Sequence, residues 1–194
     1  MPAGAQLLEI DAARSAVTVL VRRAGPLARF GHNHAIVSAQ ESGRAWLGRG
    51  LQDSGFEVRL PVNALVVDDP AARAAAGPDF PGEVPADARE GTHRNMLRPE
   101  VLDAARYPSI VVTASHLSGT WDRPIAAASV NLKGTTREME LPIELRREPR
   151  TLTAKGVFRI RQSDFGITPF SVGGGAIQVA DEVEIEFEIV ATKR

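Results

Sequence analysis

Apolar and polar residues alternate along much of the chain. In residues 182–189 every second residue is glutamate, and the residues between are Val, Ile, Phe and Ile. The same alternation occurs over residues 16–21, 56–62 and 138–145. A period of two places one side of a strand in a core and the other side in water. The pattern is typical of antiparallel sheets, because parallel sheets are buried on both faces.

Shorter runs predict additional strands, and turn-like sequences separate them. The Gly-, Asp- and Pro-containing turns favour a β-sandwich or a β-barrel. Pro142 interrupts an alternating run, so it predicts an edge, a bulge or a barrel rim. A chain of 194 residues is long enough for one core, and we treat residues 1–194 as a single, mainly all-β domain. The additional strands are expected near residues 34–40, 43–49, 109–117, 125–133 and 152–162.

Residues 68–108 depart from the alternation and are predicted to be an insertion of loop and helix. Up to residue 90 the segment is rich in Ala, Pro and Gly, which predicts a mobile loop that is dispensable for folding. Short helical structure is expected around residues 86–105. The sequence RPEVLDAARYP predicts a short helix there, since Pro99 suits a first helical position and Pro108 ends it.

Composition excludes several classes of protein. The net charge of −1 provides no basic field for nucleic acid. The absence of cysteine excludes disulfides, thiolate metal sites and a cysteine nucleophile. No apolar run reaches the roughly 18 residues of a membrane-spanning helix. The N-terminus lacks the basic and apolar segments of a secretory signal, so we expect a cytoplasmic protein, or a periplasmic one if the chain was trimmed.

Five segments in a fixed order resemble the YceI-like family. The resemblance spans about residues 7–191, with residues 68–90 as an insertion. It implies a lipocalin-like antiparallel barrel, which we expect to have eight strands, holding a polyisoprenoid or another long-chain lipid. Two features depart from the family: a signal peptide is missing, and Thr92–Met96 stands where many relatives carry Arg-Asp-x-His-Leu. The segments are EIDAARSAVTVLV, LRPEVLDAARYPSIVVTAS, VNLKGTTREMELPIEL, FRIRQSDFGI and VADEVEIEFEI.

The leading hypothesis is a non-enzymatic protein that binds or transports an apolar, chain-like ligand. An eight-stranded barrel either fills with side chains or holds one small ligand. The ten aromatic residues (seven Phe, two Trp, one Tyr) are few for filling it. The ligand would be an isoprenoid, an isoprenoid quinone or a fatty-acid derivative, and no cofactor is required. Candidate contacts in the cavity or at its mouth are His32, His34, Phe56, Val58, Ala127, Ser129, Gly156, Phe158, Ile160, Phe165 and Phe170.

Two alternatives remain open. His32 and His34 in the sequence GHNH would share a face if both lay on a strand, with Cα atoms roughly 6.6–7 Å apart. They could begin a zinc site of a metal carrier or metal-dependent enzyme, with a third ligand from His93, His116 or a carboxylate such as Asp181.

We weight the metal hypothesis below the binding hypothesis, because no spacing supplies a third ligand. Neither G-x-S-x-G nor H-E-x-x-H occurs. We expect His32 and His34 to lie together at the barrel mouth and the purified protein to carry no stoichiometric metal. The other alternative is an interaction module with a solid barrel, whose loop at residues 68–97 binds a partner protein. Self-association as a homodimer also stays open.

Overall fold

The computed structural model describes residues 4–193, and one antiparallel sheet dominates it. Helices are confined to two short segments of the insertion and to 3-10 turns: α1 spans Pro70–Ala75 and α2 spans Ala86–Met96. The strands are β1 Gln6–Ile10, β2 Ala16–Ala24, β3 His34–Ser38, β4 Ser42–Leu47, β5 Gly55–Pro61, β6 Val66–Val67, β7 Ser109–Gly119, β8 Pro124–Leu132, β9 Thr135–Pro142, β10 Glu144–Arg147, β11 Thr151–Arg161, β12 Ser171–Val172 and β13 Ile177–Thr192.

The sheet closes into a barrel because of the long strand β13. One edge of β13 pairs with β11 over eleven residues, and the other edge pairs with β2 and then β1. From β1 the sheet continues through β4, β5, β7 and β8 to β9. The chain runs directly from β9 into β10, and β10 pairs with β11, which completes the circle.

The sheet has thirteen strand segments, so the predicted count of eight is not exact, although the antiparallel barrel class is confirmed. The difference arises because long strands are interrupted. A 3-10 turn at Ala12–Arg14 separates β1 from β2, and another at Val62–Ala64 separates β5 from β6. Ile143 alone separates β9 from β10.

The alternating residues orient as the sequence predicts. On β13, Val183 and Ile185 are buried, and the glutamates that alternate with the apolar residues face outward. The same holds for Val58 and Leu60 on β5, which pack against Val17 of β2. The apolar side of each strand therefore faces the inside of the barrel.

The segment at residues 68–90 is packed on the barrel, so the prediction of a mobile loop is wrong. Phe80 is 2% exposed and packs against Leu20 and Ala35 on the outer face of β2 and β3. Val84 and Arg73 are also buried. A few well-placed side chains order this segment despite its polar and small-residue composition.

The short helix predicted from RPEVLDAARYP does not form, and the helical part of residues 86–105 ends at Met96. The chain instead folds back over the end of α2. The Leu102 N–H donates to the Met96 carbonyl at 3.1 Å, and Asp103 adopts a left-handed conformation with φ of 47°. These turns bring Met96 and Ala104 into an apolar cluster with Ile36.

Candidate ligand cavity and the histidine cluster beside it

The barrel encloses an apolar cavity of about 240 Å³. All lining residues except Arg44 and Gln162 are apolar. Arg44 is itself exposed on the protein surface, and the Gln162 amide donates to the Ala180 carbonyl at 2.8 Å. The barrel is therefore not solid, and its interior suits an aliphatic chain better than a polar molecule.

Inward-facing positions of nearly every barrel strand form the wall. Their alternation follows directly from the pleat of each strand. The lining residues include Val17, Val19, Phe56, Val58, Val112, Val130, Phe158, Ile185 and Phe187.

Apolar side chains lie at both ends of the cavity. Met96 and Leu102 of the insertion cover one end, where they pack beside Val21 and Ile36. At the other end Leu152 packs in a cluster with Leu8, Ala45 and Ala191. The insertion thus supplies part of the cavity wall, which sequence reasoning missed because it assigned residues 98–108 to a separate helix.

Four of the candidate contact residues line the cavity: Phe56, Val58, Phe158 and Ile160. Two other candidate contact residues lie on the outer face of their strand. Ala127 is exposed and Ser129 is only partly buried, whereas Ala126 and Ala128 are 0% exposed. Small residues on both sides of β8 concealed the register, and a slip of one residue reverses the faces. The apolar Val130 and Leu132, which share the face of Ala128, were the signal that could have fixed it.

The remaining apolar candidates do not line the cavity. Gly156 faces inward, but a Cβ there would lie 2.6 Å from the Phe187 ring, so that ring already occupies its space. Phe165 is 1% exposed and packs with Val130 in a neighbouring cluster. Phe170 is partly exposed and precedes β12.

His32 and His34 lie together, with ring centroids 6.4 Å apart in an edge-to-face arrangement. Only His34 belongs to a strand, so the two histidines do not share a strand face. His34 pairs with Val21 and lies two residues before Ile36, and both of these residues line the cavity. The histidine pair is therefore at the barrel end that the insertion covers.

A buried carboxylate orients His34. Asp68 is 1% exposed, and its two carboxylate oxygens accept hydrogen bonds from three groups. The His34 Nδ1–H donates to Oδ2 at 2.6 Å. The Arg73 Nη1–H donates to Oδ1 at 2.6 Å, and the Ala35 N–H donates to the same oxygen at 3.0 Å. The proton of His34 must lie on Nδ1, because an ionised carboxylate only accepts.

The electrostatics of the cluster keep Asp68 ionised. Burial is the largest influence and would raise the pKa of Asp68, but the hydrogen bonds from His34 and Arg73 outweigh it and lower that pKa. The pKa of His32 is lowered, chiefly by burial and then by repulsion from His34. Sequence reasoning missed Asp68 and Arg73, because it assigned their segment to a mobile loop.

The structure does not bring a third metal ligand to the His32 and His34 pair among the described residues. Within residues 4–193 no group of three or more His, Cys, Asp or Glu side chains is arranged to hold a metal ion. His93 lies on α2 and His116 on β7. Asp181 accepts hydrogen bonds from the Ser163 N–H and hydroxyl at 2.8 and 2.6 Å. The absence of stoichiometric metal from the purified protein stays a prediction.

A membrane-crossing helix is also not found in the described part of the chain, where none is both long and apolar enough.

Solved structures of similar fold cover most of this chain. BcnA of Burkholderia cenocepacia has a TM-score of 0.70 at 17% identity, and the alignment covers 94% of this chain and 99% of BcnA. A polyisoprenoid binding domain from Saccharophagus degradans, implicated in plant cell wall breakdown, has a TM-score of 0.61 at 12% identity, with coverage of 96% and 98%. A YCEI protein of Campylobacter jejuni has a TM-score of 0.57 at 10% identity, with coverage of 82% and 84%.

At these identities the likeness shows a shared fold. A search of curated proteins returns no match. The profile of the YceI-like domain, by contrast, matches residues 8–191. This chain therefore belongs to the YceI-like family.

Proposed function

We propose that this protein binds one apolar, chain-like molecule inside the barrel and carries or sequesters it without chemical change. The candidate ligands are an isoprenoid, an isoprenoid quinone or a fatty-acid derivative. The observation that supports the proposal most directly is the cavity inside the barrel with its almost wholly apolar lining. The polyisoprenoid binding domain of similar fold supports the same ligand class.

The cavity size favours a slender ligand. Ligand pockets commonly measure about 300–1,000 Å³, and this cavity of about 240 Å³ is slightly smaller. A bulky ring system would require the packed side chains to separate, whereas an alkyl or prenyl chain can follow the space between them. The residues that would contact it include Phe56, Val58, Phe158 and Ile160.

The test is a pair of substitutions on adjacent residues of β7. Val112 lines the cavity, whereas Val111 lies on the opposite face of the strand, opposite Arg59 and Asn131. Val112→Phe should fill the space and remove ligand binding, while Val111→Phe adds the same bulk outside the barrel. The purified proteins are incubated with geranylgeraniol, and the bound mass is measured by native mass spectrometry before and after solvent extraction.

We expect one bound molecule in the parent and in Val111→Phe, and none in Val112→Phe. Circular dichroism shows whether both variants remain folded. Equal binding by a folded Val112→Phe variant would contradict the cavity as the binding site. If the parent protein binds none of geranylgeraniol, ubiquinone and palmitate, the proposed function itself is contradicted.

A further inference from the structure

The barrel wall is incomplete between β9 and β11. The ladder that joins β10 to β11 ends at the pair Glu144 and Lys155. Beyond it, β11 runs on to Arg161 and pairs only with β13, while β9 pairs only with β8 among the described residues. Pro142 lies at this point and has no N–H to donate to β11. No backbone ladder joins β9 to β11 along this stretch of the described residues, and we call the stretch the seam.

A groove of about 940 Å³ lies on the outer surface where the seam begins. Its floor is formed by outward-facing residues of β11 and β13, including Val157 and Glu186. Pro142 and Ile125 add apolar surface, and Val157 is 55% exposed. The groove therefore combines exposed apolar side chains with charged groups at its rim.

One layer of side chains separates this groove from the cavity. Pro124, Ile143 and Phe187 line both spaces. Gly156 pairs with Phe187, and because Gly156 has no side chain the Phe187 ring lies over it, next to the Pro142 carbonyl at the seam. An aromatic ring can turn aside by rotation about its side-chain bonds, which a backbone ladder cannot do.

We propose that the ligand passes through the seam beside the Phe187 ring, with its apolar tail in the cavity and its polar end in the outer groove. This inference rests on the proposed function. The cavity alone is small for a long prenyl chain, and the groove provides the additional volume and the contact with water that a polar end needs. Phe187 and Ile143 then act as the gate between the two spaces.

The charges of the groove select the chemistry of that polar end. Lys155 is paired with Glu188 at 2.9 Å. Glu144 and Glu186 have no salt-bridge partner among the described residues, and Arg123 is the one remaining cation that lines the groove there. The excess of negative charge disfavours a carboxylate, so the ligand has an uncharged end such as a hydroxyl or a quinone.

Cysteine labelling tests the path, because the chain contains no cysteine of its own. Val157→Cys is coupled to a maleimide-linked polyethylene glycol, and uptake of geranylgeraniol is followed by time-resolved native mass spectrometry. Val66→Cys is a matched variant, because Val66 is 51% exposed on β6, where helix α2 packs. Val172→Cys, on the short strand β12, is the second control, since Val172 is 46% exposed.

We expect the label at Val157 to slow uptake at least tenfold and the labels at Val66 and Val172 to leave it unchanged. Slower uptake with the Val66 label alone, or equal slowing by all three labels, would overturn the path through the seam. Unlabelled protein that binds no geranylgeraniol would instead contradict the proposed function, so the two failures are distinguishable.

The polar end is tested by Glu144→Gln combined with Glu186→Gln. Palmitate, a carboxylate, should bind the double variant at least threefold more tightly than the parent, while the affinity for geranylgeraniol should not change. An unchanged affinity for palmitate would overturn the placement of the polar end in the groove.

Discussion

Arg73 joins the insertion to the barrel through four hydrogen bonds. Besides Asp68, its guanidinium donates to the carbonyls of Asn33, Pro81 and Gly82 at 2.7 to 3.1 Å. Asp68 itself has a left-handed backbone with φ of 54°, a conformation that Asp tolerates better than most residues. One side chain thus ties Asp68 to Pro81 and Gly82, and ties this part of the insertion to Asn33 between the two histidines.

Arg73→Ala should therefore be strongly destabilising. Removal of one partner from a buried ion pair costs about 3–5 kcal/mol, and in this variant the buried Asp68 carboxylate would keep only the hydrogen bonds from His34 and the Ala35 N–H. Urea denaturation followed by circular dichroism measures the free energy of unfolding. Arg94→Ala is the control: Arg94 is exposed and pairs with Glu90 at 3.7 Å, so its loss should cost less than about 0.5 kcal/mol. Equal effects would contradict the anchoring role of Arg73.

Glu41 should make stability depend on pH in a characteristic direction. It is 2% exposed, and neither carboxylate oxygen has a hydrogen-bond partner among the described residues. Burial raises the pKa of Glu41 above its ordinary value of 4.5. The folded state then holds the proton more tightly than the unfolded state, so the contribution of Glu41 is present below the unfolded pKa and is lost as the pH rises through the folded pKa.

Glu41→Gln should remove this pH dependence. At pH values above the raised pKa of Glu41, the free energy of unfolding of the variant should be larger than that of the parent. Free energies of unfolding measured at intervals from pH 4 to pH 8 give the two curves. The exposed variant Glu138→Gln should follow the parent curve. Parallel curves for Glu41→Gln and the parent would show that Glu41 does not titrate in this range.

At the scale of elements, the insertion is expected to be essential for a stable barrel end. Deleting residues 70–82 removes Arg73 and Phe80 together. The loss of the buried Phe80 alone should cost about 3–5 kcal/mol, and in a domain of this size 1 kcal/mol changes the Tm by about 2–4 °C. The deletion should therefore lower the Tm by at least about 6 °C in differential scanning calorimetry, and Phe80→Ala should account for a large part of it. An unchanged Tm would restore the prediction of a dispensable loop.

The elements that sequence reasoning located correctly are those whose two faces differ in polarity. β13 was clear because glutamate and large apolar residues alternate in it. β8 was located correctly, but the residues Ala126–Ala128 show no difference in polarity between its two faces, so the wrong face was predicted to point into the barrel. The turns after Met96 depend on contacts with Ile36 and Val62, which are distant in sequence, so local composition could not predict them.

Some residues of the candidate site could likewise be predicted from strand alternation, and others could not. Phe56, Val58, Phe158 and Ile160 were found because strand alternation alone defines an inward face. Asp68 and Arg73 could not be found, because their roles depend on the buried surroundings that the folded insertion creates.

For the whole molecule, occupation of the cavity should raise thermal stability. A ligand that binds only the folded state at one hundred times its Kd adds about 2.7 kcal/mol, which corresponds to a rise in Tm of about 5–11 °C for a domain of this size. Differential scanning fluorimetry with increasing geranylgeraniol measures the rise. Val112→Phe, with its filled cavity, should show no concentration-dependent rise, and a rise equal to that of the parent would contradict binding in the cavity.

β13 also has a consequence for biosynthesis. It pairs with β11 on one edge and with β2 and β1 on the other, and it is the last strand of the sheet to leave the ribosome. Until then the nascent sheet has two open edges and an exposed apolar concave face, which are the features that chaperones bind and that promote aggregation. Closure joins residues that are more than 150 positions apart, so it is slow compared with the pairing of neighbouring strands. The apolar interior of this barrel is therefore most accessible to other molecules, both chaperones and aggregation partners, while the protein is still being synthesised.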